Sequence, residues 1–125
     1  MRKTPIYHAT SASNAEKIIN GELNSGSYIT SCLRLAEYYA ETVEDEGESA
    51  VILMFELSAD ATLEPDHAGI CEPIMPVLRA EFDLNSEEDV LSEWELTDGT
   101  GWDCLDLIGS AVLMDTIQGA SIRVI

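Results

Sequence analysis

The sequence predicts a small mixed α+β domain. Three observations lead there: β-rich segments lie near both ends of the chain, helical apolar stripes lie between them, and the length of 125 residues suits one domain. A chain of this size buries roughly two-thirds of the surface exposed by its unfolded form, enough to fold without staples. Its hydrophobic fraction is 46% with two Trp and two Phe, so the core rests on Ile, Leu, Val and Ala. No repeat, low-complexity tract or linker interrupts residues 1–125, which are read as a single domain.

In chain order, Pro5 to Ala9 is a short alternating segment, read as a strand. Thr10-Ser11-Ala12-Ser13 offers capping hydroxyls to a helix over Asn14 to Ile19, and Asn20-Gly21 supplies its stop. After the polar Asn24 to Ser27, Tyr28-Ile29-Thr30 has strand character. Leu33 to Glu46 carries a helical stripe at Leu35, Ala36, Tyr39, Ala40 and Val43. Ala50 to Leu57 is apolar throughout except for Glu56, is bounded by turn signals, and reads as a buried strand.

Ser58 to Ala68 reads as a loop with a short strand, and Pro73 and Pro76 bar any long helix after it. Ser86 precedes Glu87, Glu88 and Asp89, which complement a helix N-terminus, so 86–94 is predicted helical. Asp98-Gly99-Thr100-Gly101 reads as a turn. Leu107 to Ile117 and Ser121 to Ile125 read as two strands about Gln118-Gly119.

The charge is unevenly spread. Residues 1–36 hold Arg2, Lys3, Lys17 and Arg34 against Glu16 and Glu22, a net +2, whereas residues 37–125 carry −20. Such a field repels nucleic acid and anionic lipid and draws in a basic protein partner. The longest apolar run, Ala50 to Phe55, is six residues, against roughly 20 needed for a membrane span. Cys32, Cys71 and Cys104 are widely separated, odd in number and outside any zinc-chelating spacing. With no apolar signal segment after Met1-Arg2-Lys3, these cysteines point to a reducing, cytoplasmic setting. His8 and His67 fall in no metal-binding motif, and no hydrolase or phosphate-loop motif is present.

Two groups of residues could carry chemistry. In a strand, His8 and Thr10 project from one face just before a helix begins; as a plain structural feature, Thr10 would be a cap and His8 a satisfied histidine. Tyr28 and Tyr39 have ten residues between them, one on a strand and one on the inner stripe of the next helix. Two rings brought to opposite sides of a cleft can sandwich a flat heterocycle and attract a cationic one; otherwise both are core or rim residues.

Taken together, Tyr7-His8-Ala9-Thr10 before a helix, Tyr28 and Tyr39 across a strand and helix, and the strand that follows resemble ADP-ribosyltransferases of the histidine-tyrosine-glutamate group. That group includes diphtheria-like toxins and poly(ADP-ribose) polymerases. The resemblance covers the first half of the chain well and the C-terminal strands loosely. It implies two packed β-sheets with flanking helices and NAD as cofactor. It also implies that His8 binds a ribose hydroxyl, with Ala9 in place of the family's usual glycine and Thr10 alongside. Tyr28 and Tyr39 would stack about the nicotinamide ring and position the glycosidic bond for an oxocarbenium-like transition state.

The family's glutamate begins a late strand, and here Ser110 stands at that place. A serine cannot balance positive charge as a carboxylate does. Asp103 or Asp106 is the expected substitute; failing both, the reaction is limited to single transfers assisted by the substrate, or the chain has lost catalysis. The resulting expectation is a mono-ADP-ribosyltransferase-like protein acting on a protein acceptor, the size also fitting a toxin. The competing expectation is a non-enzymatic acidic inhibitor of the anti-restriction or anti-CRISPR kind that masks a basic nucleic-acid-binding surface.

Overall fold

The computed structural model describes residues 3–125. The chain runs β1 (Lys3–Ser11), α1 (Ala12–Asn20), β2 (Glu22–Leu23), β3 (Ser27–Thr30), α2 (Leu33–Asp45), β4 (Ala50–Ser58) and β5 (Leu63–Glu64). It continues through α3 (His67–Cys71), α4 (Met75–Glu81), α5 (Glu87–Glu95), α6 (Gly101–Ile108), β6 (Ser110–Leu113) and β7 (Ile117–Gln118). A 3-10 turn (Gly119–Ser121) and β8 (Arg123–Val124) complete it. The α+β expectation holds, and among the described residues no helix is long and apolar enough to cross a membrane.

Six strands form one antiparallel sheet in the order β5-β6-β3-β1-β4-β8. The long β1–β4 ladder is its spine, with Ile6 opposite Phe55 and His8 opposite Leu53. Alternation sends Ile6, Leu53, Phe55 and Leu57 into the main core, where Ala15 and Ile18 of α1 and Leu105 of α6 meet them. The second sheet is only a two-stranded ladder of β2 and β7, which adds Leu23 and Ile117 to that same core. A smaller core gathers Ile70, Leu78, Leu84, Val90, Cys104 and Ile108, binding α3 to α6 together.

Most of the expected elements are present: β1, α1, β3 and β4 run slightly longer than expected, α2 ends one residue earlier, and β6 and β8 are shorter. Ser11 caps α1 by accepting from the Asn14 amide at 3.2 Å, and Ser86 caps α5 from the Asp89 amide at 3.1 Å. Two expectations are corrected. The stretch read as turn and strand contains α6, whose start is fixed by a reciprocal box: Thr100 Oγ1 accepts from the Asp103 amide at 3.1 Å, and the Asp103 carboxylate accepts from the Thr100 amide at 3.2 Å. Gly101 is needed there for packing, because a Cβ would lie 2.3 Å from the carbonyl carbon of Leu63.

The C-terminal segments also do not form a hairpin. β6 inserts between β3 and β5, β7 leaves for β2, and β8 pairs with β4 at the opposite edge. Gly109 makes the sharp exit from α6 into β6 at φ 76°, a left-handed conformation that glycine adopts without strain.

Candidate functional site

A cleft of about 710 Å³ opens beside the centre of the sheet, and His8, Ala9, Tyr28, Tyr39, Asp66 and Ser110 are among its lining residues. β1 brings His8 and Ala9, β3 brings Tyr28, and the inner face of α2 brings Tyr39. Ser110 begins β6, and Asp66 caps α3. The residues separated in sequence therefore share one concave site.

His8 is fixed by a single bond whose direction is unambiguous. Its Nδ1 lies 2.7 Å from the carbonyl oxygen of Tyr28. A carbonyl only accepts, so Nδ1 carries the proton, and in the neutral ring Nε2 is left as an acceptor. Burial lowers the His8 pKa below its ordinary value of 6.5, the bond to Tyr28 partly opposing the shift. At neutral pH the cleft thus presents an uncharged imidazole able to accept from a hydroxyl.

The two tyrosines differ in setting. Tyr28 stands at the rim, 58% exposed, while Tyr39 is half-buried and meets Tyr38 edge-on at 6.1 Å. Burial, with added repulsion from Asp66 and then from the Tyr38 and Tyr28 phenols, pushes the Tyr39 pKa up to about 12. Its phenol consequently remains a protonated donor.

Ala9 lies in regular strand opposite Ile52, and Asp83 is the sole non-glycine residue with positive φ among the described residues. No left-handed backbone is required at position 9, so alanine is accommodated without strain. Thr10 is placed differently from the expectation. It is buried, its Oγ1 accepts from Asn14 Nδ2 at 2.7 Å, and Asn14 rather than Thr10 lines the cleft.

Neither carboxylate expected to compensate for Ser110 reaches the site. Asp103 is occupied in the α6 cap, and Asp106 lines a separate groove with Phe82 and Asp89. The carboxylate beside Ser110 is Asp66. Ser110 Oγ donates to Asp66 Oδ2 at 2.8 Å, the Gly69 amide donates to Oδ1 at 3.0 Å, and the two side chains are 3–4% exposed. The Asp66 amide in turn points at the Cys104 sulfur, 3.3 Å away, whose thiol burial pushes up to about 11.

Strand pairing brings the two near. β5 and β6 pair Leu63 with Leu113 and Glu64 with Val112, and two residues beyond β5 the α3 cap Asp66 meets Ser110, the first residue of β6. The carboxylate was hidden from sequence reading because it follows a two-residue strand and lies 44 positions from its partner.

Among the described residues, no cation of the basic N-terminal segment lines the cleft. Among the described residues Lys3 borders another groove, Lys17 is exposed on α1, and Arg34 pairs with Glu81 at 3.4 Å. Among the described residues the charged lining groups are Asp66 and the exposed Glu72, both acidic. No group of three or more potential metal ligands clusters among the described residues.

The chain matches no protein-family model, and comparison with curated proteins and with solved structures likewise finds no match. The cleft brings together an acceptor imidazole, two phenol rings and a buried carboxylate.

Proposed function

We propose that the protein binds NAD through this cleft and acts as a mono-ADP-ribosyltransferase-like protein on a partner protein. The observation that carries the reading is the convergence of His8, Tyr28 and Tyr39 on one cavity of about 710 Å³, a size suited to a small-molecule site. The elements that bring them there, β1, β3 and α2, follow the order in which the resemblance to ADP-ribosyltransferases sets them, with the short β2 added between α1 and β3.

The pyridine and ribose end of NAD suits these residues. Nε2 of His8 accepts from a ribose hydroxyl, and the Nδ1 bond to Tyr28 holds the imidazole in the required tautomer. Tyr39, kept neutral, supplies a ring face from the wall, and Tyr28 closes the opening from the rim. Ala9 lets the backbone of β1 approach the ligand closely. When bound, NAD would supply the ADP-ribosyl group: the ribosyl C1′–nitrogen bond breaks with its electron pair passing to the nicotinamide nitrogen, an acceptor lone pair forms the new bond to C1′, and the acceptor proton leaves to solvent. The pyrophosphate meets no lysine or arginine among the described lining residues, so affinity is concentrated at the nicotinamide end.

The test is incubation with labelled NAD and a cell lysate, together with direct titration of NAD. Label transfer or NAD cleavage that disappears in Tyr39→Ala and His8→Ala supports the reading. Absence of transfer, cleavage and binding removes it.

A second reading rests on the acidic surface. Glu37, Glu41 and Glu44 of α2 and Glu87, Glu88, Asp89, Glu93 and Glu95 of α5 are exposed, and such a surface could mask a basic nucleic-acid-binding partner. A salt-sensitive complex indifferent to His8 and Tyr39 substitution would favour it.

A further inference from the structure

The Asp66 carboxylate is 4% exposed, yet the groups that hold it are neutral. Gly69 N–H donates to one oxygen and Ser110 Oγ to the other. Hydrogen bonds of this kind orient and solvate a carboxylate but leave its charge unbalanced, and a buried charge is costly unless paired. Among the described residues no lysine or arginine forms an ion pair with it, the Arg34–Glu81 bridge involving neither partner. His67, the next residue, is exposed and turns its ring edge-on to Trp94 at 6.4 Å.

The seat of the carboxylate is shaped for it. A Cβ on Gly69 would come within 2.5 Å of Asp66 Oδ2 and 3.0 Å of its Cγ, so the side chain at 69 is absent where the carboxylate needs the space. Each oxygen accepts one bond from the protein, which leaves acceptor capacity on both. The residue lines the same cavity as Tyr28 and Tyr39, and its charge is felt at the Tyr39 phenol. A cation entering the cleft gains attraction from the ring faces and from this carboxylate together. A neutral heterocycle of the same shape gains only the stacking.

We propose that Asp66, clamped by Ser110 and Gly69, is the counter-ion of the cleft, so that the site selects a positively charged pyridinium ring over the neutral pyridine of the same shape. This deepens the NAD reading, whose oxidised nicotinamide carries that charge, but its test needs no turnover. The helix-capping role of Asp66 alone would be met by asparagine or serine; selection of a cation requires the charge.

The experiment is calorimetric titration of the full chain with 1-methylnicotinamide, the cation, and with nicotinamide, the neutral ring, at neutral pH and low salt. Wild-type protein should bind the cation about tenfold more tightly. Asp66→Asn should bring the two affinities within about twofold of each other, whereas Glu88→Gln, at an exposed position of α5 outside the cleft, should retain the preference. If Asp66→Asn fails to fold, Asp66→Ser, which keeps a capping oxygen, takes its place.

Equal binding of the two rings by wild type, a preference that survives loss of the Asp66 charge, or binding of neither ring overturns the proposal. NAD binding that depends on Tyr39 without any cation preference would sink the counter-ion role and leave the NAD reading standing. A preference abolished by Asp66→Asn in a protein that does not bind NAD would do the reverse.

Discussion

His8 and Tyr28 are joined by one hydrogen bond, from the imidazole Nδ1 to the main-chain carbonyl oxygen at 2.7 Å, that ties β1 to the rim of the cleft. The bond selects the imidazole tautomer, and burial keeps the ring neutral. A group whose charged form is disfavoured in the folded state has consequences for both stability and binding.

Because the folded-state pKa of His8 lies below 6.5, the unfolded chain binds more protons than the native one as pH falls past 6.5. The His8 contribution to stability is therefore fully present above about pH 6.5 and is lost on acidification through the lower folded pKa. Thermal melts of wild type and His8→Gln should diverge least in the acid range. Ligand affinity that depends on Nε2 should persist to a lower pH than an ordinary histidine would allow, a point that titration at pH 6 checks.

Tyr39 should behave oppositely at the alkaline end. Its pKa of about 12 means that its phenol ionises after an ordinary tyrosine, and the stability associated with the neutral form is lost as pH rises from about 10 through that value. Ultraviolet titration should show a late phenolate step that is missing from Tyr39→Phe. A wild-type profile with all tyrosines titrating together near 10 would contradict the buried setting.

The Asp66 seat predicts a pair of separable losses. Gly69→Ala should force the carboxylate aside and cost about 1–3 kcal/mol in stability, with ligand binding impaired. Asp66→Asn should preserve the fold and weaken binding of the pyridinium cation by about fivefold, with the neutral ring little affected. Cation titrations measured beside thermal melts distinguish the two; an unchanged cation affinity in folded Asp66→Asn contradicts the counter-ion role.

Thr100→Ala should destabilise the protein by about 1 kcal/mol through loss of the α6 cap, without changing affinity at the cleft. Asp106→Asn should alter neither, because its side chain borders another groove. Denaturation curves and NAD titrations of the two variants provide the check.

Much of the fold was legible because local signals and tertiary packing agree. The stripe at Leu35, Ala36 and Ala40 is the buried face of α2, and the hydroxyls of Ser11 and Ser86 cap the helices they precede. Sequence reading failed where packing outweighed local turn signals: Gly101 suggested a turn, yet it opens α6 because only a bare α-carbon fits against Leu63. The C-terminal strands were legible as strands but not in their pairing, which depends on contacts with β3, β2 and β4. His8, Tyr28 and Tyr39 were singled out by the resemblance to ADP-ribosyltransferases rather than by type and spacing alone, and they line one cleft, whereas Asp66 meets Ser110 only through the fold beyond the β5–β6 pairing.

Nuclear magnetic resonance with ring-labelled histidine and tyrosine tests the central claim most directly, since the chain has only two histidines and four tyrosines. On titration with NAD, the signals of His8, Tyr28 and Tyr39 should move together along one saturable curve, while His67 remains in place. If the three rings stay unmoved at millimolar NAD, or shift along unrelated curves, they do not form a nucleotide site.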